Sequence, residues 1–208
     1  MMTRSCQSIY SSRVLRFATA ALAPLLALML ATPVNSDCAE WDIDQLMLVM
    51  QQVRSDHARF TERKYIAMLE TPVDSSGELF YTAPDRMEKR TLEPKPESMI
   101  LEGGTLMIER GRKKHRLQLQ DSPELAAFID SIHGTMAGDR AALERNYGLS
   151  VEGTADGWTL QLLPMDEKML AVVTRIRIAG AGNEVRSIET LQADGDSSLM
   201  LIERLATP

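Results

Sequence analysis

The chain has 208 residues, of which 44% are hydrophobic and only 5% aromatic, and its formal net charge is −6. That acidic balance disfavours nucleic acid and any general attraction to anionic lipid surfaces. The length is enough for one domain with its own core, without help from cross-links.

Residues 1–36 read as an export signal. Arg4, Arg13 and Arg16 form a basic start without acids, and Phe17 to Leu30 is an apolar stretch interrupted by Pro24. Such a stretch is short for a bilayer span and suits a signal core. Val34-Asn35-Ser36 places small residues before a cleavage point, so the mature chain is expected to begin near Asp37. The alternative for this segment is an N-terminal membrane anchor. Lipidation at Cys38 is disfavoured, because Asn35-Ser36-Asp37 lacks the aliphatic start and small final residue of a lipoprotein cleavage box. Loss of the segment leaves 20 basic residues against 29 acidic ones, a net charge of −9. It also removes Cys6, so Cys38 stands alone and no internal disulfide is expected even in an oxidising compartment.

Asp42 to Asp56 is helical by pattern. Ile43, Leu46, Met47, Met50 and Val53 recur at three- and four-residue steps and share one face. Strands follow near 58–70, 73–82, 86–93, 98–102, 105–110 and 114–120, with Gly103-Gly104 and Gly111-Arg112 as hairpin signals. Asp121-Ser122-Pro123-Glu124 starts a second helix, with a polar cap followed by proline in the first turn. Its apolar face is Leu125, Phe128, Ile129 and Ile132, and Gly134 is expected to end it. A short helix over Arg140 to Asn146 comes next. Strands return at 148–153, 158–164, 173–179, 184–193 and 197–204, while 165–171 reads equally as a helical turn or a strand. The connections are too short for parallel crossovers, so the strands form an antiparallel meander in one bent sheet with helices on one face.

The chemistry-bearing residues do not assemble into a reaction centre. His57, His115 and His133 lie in different segments, none with a second ligand at metal spacing. A nucleophile elbow, a phosphate-binding glycine loop and a dinucleotide fingerprint are all lacking. No enzyme activity, catalytic residue, metal or cofactor is expected. Asp194-Gly195-Asp196 reads as a hairpin turn rather than a divalent-ion loop, since the further oxygen ligands are missing. Arg110, Arg112, Lys113, Lys114 and Arg116 form the one dense basic cluster. It reads as a solvated hairpin tip, with an acidic partner or a lipid headgroup as the alternative. A nucleic-acid role lacks interleaved aromatics.

The stretch Ser75 to Pro94, SSGELFYTAPDRMEKRTLEP, is the most informative in the chain. Gly77 opens a strand in which Leu79 and Tyr81 share one face and Glu78 and Phe80 the other. Pro84-Asp85 reverses the chain. Together with Ala58 to Lys64 (ARFTERK), Gly77 to Met87, Glu93-Pro94, Ile100 to Leu106, Trp158 to Pro164 and Asp194 to Asp196, this order of segments resembles the outer-membrane lipoprotein carrier (LolA) family over roughly Trp41 to Leu205. The resemblance rests on order and spacing, not on a single motif.

The resemblance implies an unclosed half-barrel, a strongly bent antiparallel sheet covered by helices, as one domain over 37–208. It implies a periplasmic, monomeric carrier that holds the acyl chains of a lipoprotein or glycolipid on the way to the outer membrane. The expected partners are this acylated cargo, an inner-membrane donor and an outer-membrane acceptor. The alternative is a periplasmic sensor or interaction domain on the same scaffold, binding lipidated or protein partners. Two features depart from the family. The arginine that ties the lid helices shut in typical carriers falls at Ala83, with Arg86 in another register, and the C-terminal extension after the last long strand is not seen before Pro208.

A bent sheet under helices leaves a concave apolar space, and such spaces are ligand sites. Ten of the thirteen methionines lie beyond the signal, and methionine lines adaptable surfaces. The expected inward residues are Leu79, Tyr81, Met87, Met99, Leu101, Leu106, Ile108, Leu117, Leu119, Leu160, Leu162, Ile176, Ile178, Leu199 and Leu201, with Phe128, Ile129 and Ile132 in the lid. Exposing an acyl chain to water costs about 0.8 kcal/mol per CH₂, so a long chain needs such cover to cross an aqueous compartment.

Overall fold

The computed structural model describes residues 41–205. The expected export signal and Cys38 lie outside the described residues. The elements in chain order are α1 (Ile43–Met50), β1 (Ser55–Tyr65), β2 (Val73–Thr82), β3 (Arg86–Glu93), β4 (Glu97–Glu102), β5 (Thr105–Arg110), β6 (Lys113–Gln118), a 3-10 turn (Leu119–Asp121), α2 (Pro123–Ala137), α3 (Arg140–Glu144), β7 (Tyr147–Thr154), β8 (Gly157–Pro164), α4 (Glu167–Leu170), β9 (Val173–Ala181), β10 (Glu184–Gln192) and β11 (Ser197–Arg204).

All eleven strands join one sheet in the order β6-β5-β4-β3-β2-β1-β11-β10-β9-β8-β7. Every pairing is antiparallel. The first and last strands of the chain meet in the middle, and β6 and β7 are the free edges, so the sheet is unclosed. The β6 edge reads KKHRLQ and is exposed throughout. Lysine and arginine on an edge discourage pairing with another chain.

Two helices end where the sequence pattern does not place them. The first is expected to reach Asp56 but stops at Met50, and the chain turns through Val53 N–H to Met50 O at 3.0 Å. From Ser55 it already belongs to β1, whose backbone pairs with both β2 and β11. A central strand satisfies its polar backbone groups on both sides, and this outweighs a further turn of helix. In the second helix Gly134 does not end anything. A Cβ there would lie 2.8 Å from Leu143 Cδ2, so the glycine admits α3 against α2. The helix ends at Gly138, which is left-handed (φ 65°) and is followed by Asp139 N–H donating to Gly134 O at 2.8 Å. That is the closing bond of a glycine cap. A Cβ at Gly138 would also clash with Met47 O, so α1 crosses it closely. The ambiguous 165–171 segment holds α4, capped by the Asp166 carboxylate accepting from Lys168 N–H at 2.8 Å.

Burial is divided between two clusters on the concave face. The larger one packs Leu46 and Met50 of α1 and Leu143 of α3 on Trp158, Leu160, Leu162, Ile176 and Ile178. The smaller one joins Leu101, Leu106 and Leu119, with Met87, Met99, Ile108, Leu125 and Ile129 against them. Helix α2 spans both: Ala127, Phe128 and Met136 reach the first, and Leu125, Ala126 and Ile129 the second. Ala58, Phe60 and Tyr81, in the middle of the sheet, are buried but belong to neither cluster.

Candidate functional site: a cavity under α2

Opposed residues in antiparallel strands point to the same side of a sheet, so register fixes which side chains face α2. Ala58 and Phe60 are buried and set the inner face of β1. Leu79 lies opposite Ala58, Met87 opposite Tyr81, Leu101 opposite Met87 and Leu106 opposite Leu101. On the other side, Ile202 lies opposite Phe60, Met200 opposite Glu62, Ile188 opposite Met200 and Ile178 opposite Ile188.

Between these rows and α2 is a cavity of about 390 Å³. That lies within the roughly 300–1,000 Å³ of small-molecule sites. Ten of the residues expected inward from sequence come together around it: Leu79, Tyr81, Met87, Met99, Leu101, Leu106 and Ile178 from the sheet, and Phe128, Ile129 and Ile132 from α2. Burial pushes the Tyr81 phenol above its ordinary pKa, so it stays neutral there.

The remaining expected residues are placed elsewhere. Leu160, Leu162 and Ile176 face inward but are completely buried in the larger cluster, with no share in the cavity wall. Ile108 and Leu119 pack in the smaller cluster, and Leu117 lies 39% exposed on the edge strand. Leu199 and Leu201 point the wrong way: they are 43% and 53% exposed on the outer face. Register explains the reversal, because Leu201 pairs with exposed Thr61 while Ile202 pairs with buried Phe60. In the run Leu199-Met200-Leu201-Ile202 every residue is apolar, so alternation carries no signal, and a slip of one residue exchanges the faces. Met200 and Ile202 are the apolar lining residues of β11, and Met136, Val185 and Ile188 also join the wall without having been expected there.

The cavity wall is not wholly apolar. Glu62 and Lys89 project into it and pair at 2.5 Å, with the Lys89 ammonium 4.8 Å from the Phe60 ring centroid. Ser75 Oγ donates to the same carboxylate at 3.4 Å. A cation over a ring face is attracted by its quadrupole, which helps hold this ammonium among apolar neighbours. Asp56, also on the inner face, takes a two-pronged contact from Arg204 (Nε–Oδ1 2.9 Å, Nη2–Oδ2 2.8 Å). The same guanidinium reaches Glu184 at 3.1 Å and donates to Asn183 O at 3.1 Å. One residue thereby ties β11 to β1 and to the β9–β10 turn.

The lid helix carries its own polar anchors. Buried Thr135 donates to Ser131 O at 2.7 Å, and Tyr147 donates to Ala127 O at 3.2 Å. Burial pushes the Tyr147 hydroxyl up to about 12. His133 Nε2–H donates to Pro84 O at 2.8 Å and so joins α2 to the β2–β3 turn. The other two histidines are apart: His57 stacks on Phe80 at 4.4 Å, and His115 is exposed on β6. Among the described residues there is no group of three His, Cys, Asp or Glu placed to hold a metal ion. Asp194 and Asp196 form the β10–β11 turn, where the Asp196 carboxylate accepts from Ala67 N–H at 2.9 Å. In the basic cluster Arg110 pairs with Glu97 and Lys114 with Glu109, as suits an exposed hairpin tip.

No curated protein matches this sequence. Among solved structures, the chain is similar to a LolA superfamily protein of Nitrosomonas europaea at 12% identity, covering 81% of this chain and 96% of that one with a TM-score of 0.43. It is also similar to a protein in the Pseudomonas aeruginosa MucA/MucB complex at 14% identity, covering 80% of this chain and 56% of that one with a TM-score of 0.44. A third similarity is to LprF of Mycobacterium bovis, at 10% identity over 80% and 91% of the two chains with a TM-score of 0.32. The family model described as outer membrane lipoprotein carrier protein LolA-like matches residues 35–207, and the chain therefore belongs to the LolA-like family.

Proposed function

We propose that the protein is an exported, non-enzymatic carrier that shelters acyl chains in the cavity under α2. The single observation that supports it most is an apolar space of about 390 Å³ between two separately packed cores, roofed by one helix. A well-packed interior leaves few voids larger than a water molecule, so a space of this size beneath a single helix calls for an occupant. Covering an acyl chain recovers about 0.8 kcal/mol per CH₂. The cargo is the lipid-modified end of a lipoprotein or a glycolipid, and transport runs through the periplasm toward the outer membrane, from a donor in the inner membrane to an acceptor in the outer one. The protein acts as a monomer in this reading, without metal or cofactor.

Native mass spectrometry of the protein purified from periplasm, followed by extraction of any bound molecule, tests this. A co-purified acylated molecule is the expected result. A mass that stays free of adducts after incubation with lipids and a triacylated peptide would overturn it.

A second reading, a sensor or interaction domain on the same scaffold, draws on the outer face. There Leu199 and Leu201 lie 43% and 53% exposed and neighbour each other along β11. Loss of partner binding on Leu201→Glu, with lipid binding intact, would favour it.

A further inference from the structure

The cavity is polarised along its length. Under α2 its wall is Phe128, Ile129, Ile132, Leu101 and Leu106. Toward the β1–β2 loop it changes to Lys64, Thr190, Gln192 and Ser198. Register puts three of these side by side: Lys64 lies opposite Ser198, and Ser198 opposite Thr190. Cβ atoms of directly opposed residues are about 4.5–5.5 Å apart, so the three side chains rise next to one another at this end of the cavity.

Lys64 differs from the other inward charges in having no counter-charge. The Glu62 carboxylate is held by Lys89 at 2.5 Å, and Asp56 is held by Arg204. Arg63, the outward neighbour of Lys64, takes Asp74 at 2.7 Å. Among the described residues no carboxylate lies within ion-pair distance of the half-buried Lys64. The remaining lining carboxylate, Glu88, is held by Arg86 and Arg90, so Lys64 is the one charge of the wall left unpaired among the described residues, in a chain whose net charge is −6. An ammonium at a cavity wall with no carboxylate beside it is free to take a charged oxygen ligand through charge-assisted hydrogen bonds.

We propose that the occupant of the cavity is an amphiphile with an anionic head, a phosphate or a carboxylate, held by Lys64 with Ser198 and Thr190, while its tail lies under α2. This inference rests on the carrier reading and narrows it to a class of cargo. Among the described residues a cationic head finds no unpaired carboxylate at that end.

The test is isothermal titration with two probes of equal tail length, dodecyl phosphate and dodecyltrimethylammonium, both below their micelle concentrations. The unmodified protein is expected to bind the phosphate at least about ten-fold more tightly, a difference of about 1.4 kcal/mol. Lys64→Gln should bring the two within about two-fold, and Lys64→Arg should keep the preference, each variant being checked for an unchanged melting curve. Excess inorganic phosphate should leave dodecyl phosphate bound, which separates a lipid headgroup from a free-anion site. Equal binding of both probes to the unmodified protein, or an unchanged preference in Lys64→Gln, would overturn the headgroup inference and leave the cavity reading standing. Binding of neither probe would overturn both.

Discussion

At the scale of single residues the decisive quantity is which face a side chain takes. Met200 and Leu201 are adjacent, apolar and similar in size, yet one lines the cavity and the other is 53% exposed outside. Met200→Glu should therefore weaken dodecyl phosphate binding by at least about ten-fold, since it buries a repelling carboxylate beside the tail. Leu201→Glu should leave binding unchanged and shift stability by no more than about 0.5 kcal/mol. Titration of the two variants alongside urea melts separates the faces, and equal losses would show that the β11 register is wrong. Tyr147 offers a second test. Its folded pKa of about 12 lies above the ordinary value of 10, so the folded state holds the proton longer than the unfolded one. Its contribution is complete below pH 10 and is lost as pH rises toward 12, by up to about 3 kcal/mol. Tyr147→Phe should lower stability by about 1 kcal/mol at neutral pH, through the lost bond to Ala127 O, and should flatten this alkaline decline. Parallel urea melts at pH 8 and pH 11 read the difference.

At the scale of elements, most strand boundaries were legible because each strand here is bracketed by its own turn residues. Gly103-Gly104, Gly111, Pro84-Asp85 and Asp194-Gly195 all fall in turns between observed strands. The errors lie where a residue serves a contact rather than a local preference. Gly134 reads as a stop but makes room for Leu143, and the stop is Gly138 four residues later. The lid contact is a similar case. The family resemblance places alanine, Ala83, where typical carriers have the arginine that ties the lid helices shut. The structure has a tether at that turn with the roles reversed: the helix supplies the side chain, His133, and the turn supplies the carbonyl, Pro84 O. His133→Ala should raise amide exchange in residues 128–137 and cost about 1 kcal/mol. Exchange confined to its original rates in that segment would show that the bond does not restrain the lid.

At the scale of the whole molecule, side-chain ties join strands that lie far apart in the chain. Arg204 makes the densest of them, binding Asp56, Glu184 and Asn183 across 148, 20 and 21 residues of chain. Arg204→Met should destabilise the protein by about 2–3 kcal/mol, because it strands the partly buried Asp56 carboxylate without its partner. Urea melts of the two proteins read the loss, and a change below about 0.5 kcal/mol would show that the Arg204–Asp56 contact adds little to the fold. The cavity itself is a property of this scale. It exists because two clusters, built on β7–β10 and on β3–β5, each close on their own and leave the sheet's centre to α2.

Strands, helices and the antiparallel meander follow from the amino-acid order without further information, because they depend on turn residues and short-range periodicity. The order of segments also carries the family. Packing and register settle the rest, beginning with which apolar residues line a cavity and which fill a solid core. Leu160 and Ile178 sit opposite each other on neighbouring strands and read alike along the chain. Packing by α1 and α3 seals Leu160, Leu162 and Ile176 away, while Ile178 keeps its place in the wall. Register decides the face of β11, since a run of four apolar residues has no alternation to read. Charged members of the wall such as Glu62, Lys64 and Lys89 are hidden for the converse reason: a lysine in a strand looks solvent-facing until the partner strands show that it points inward.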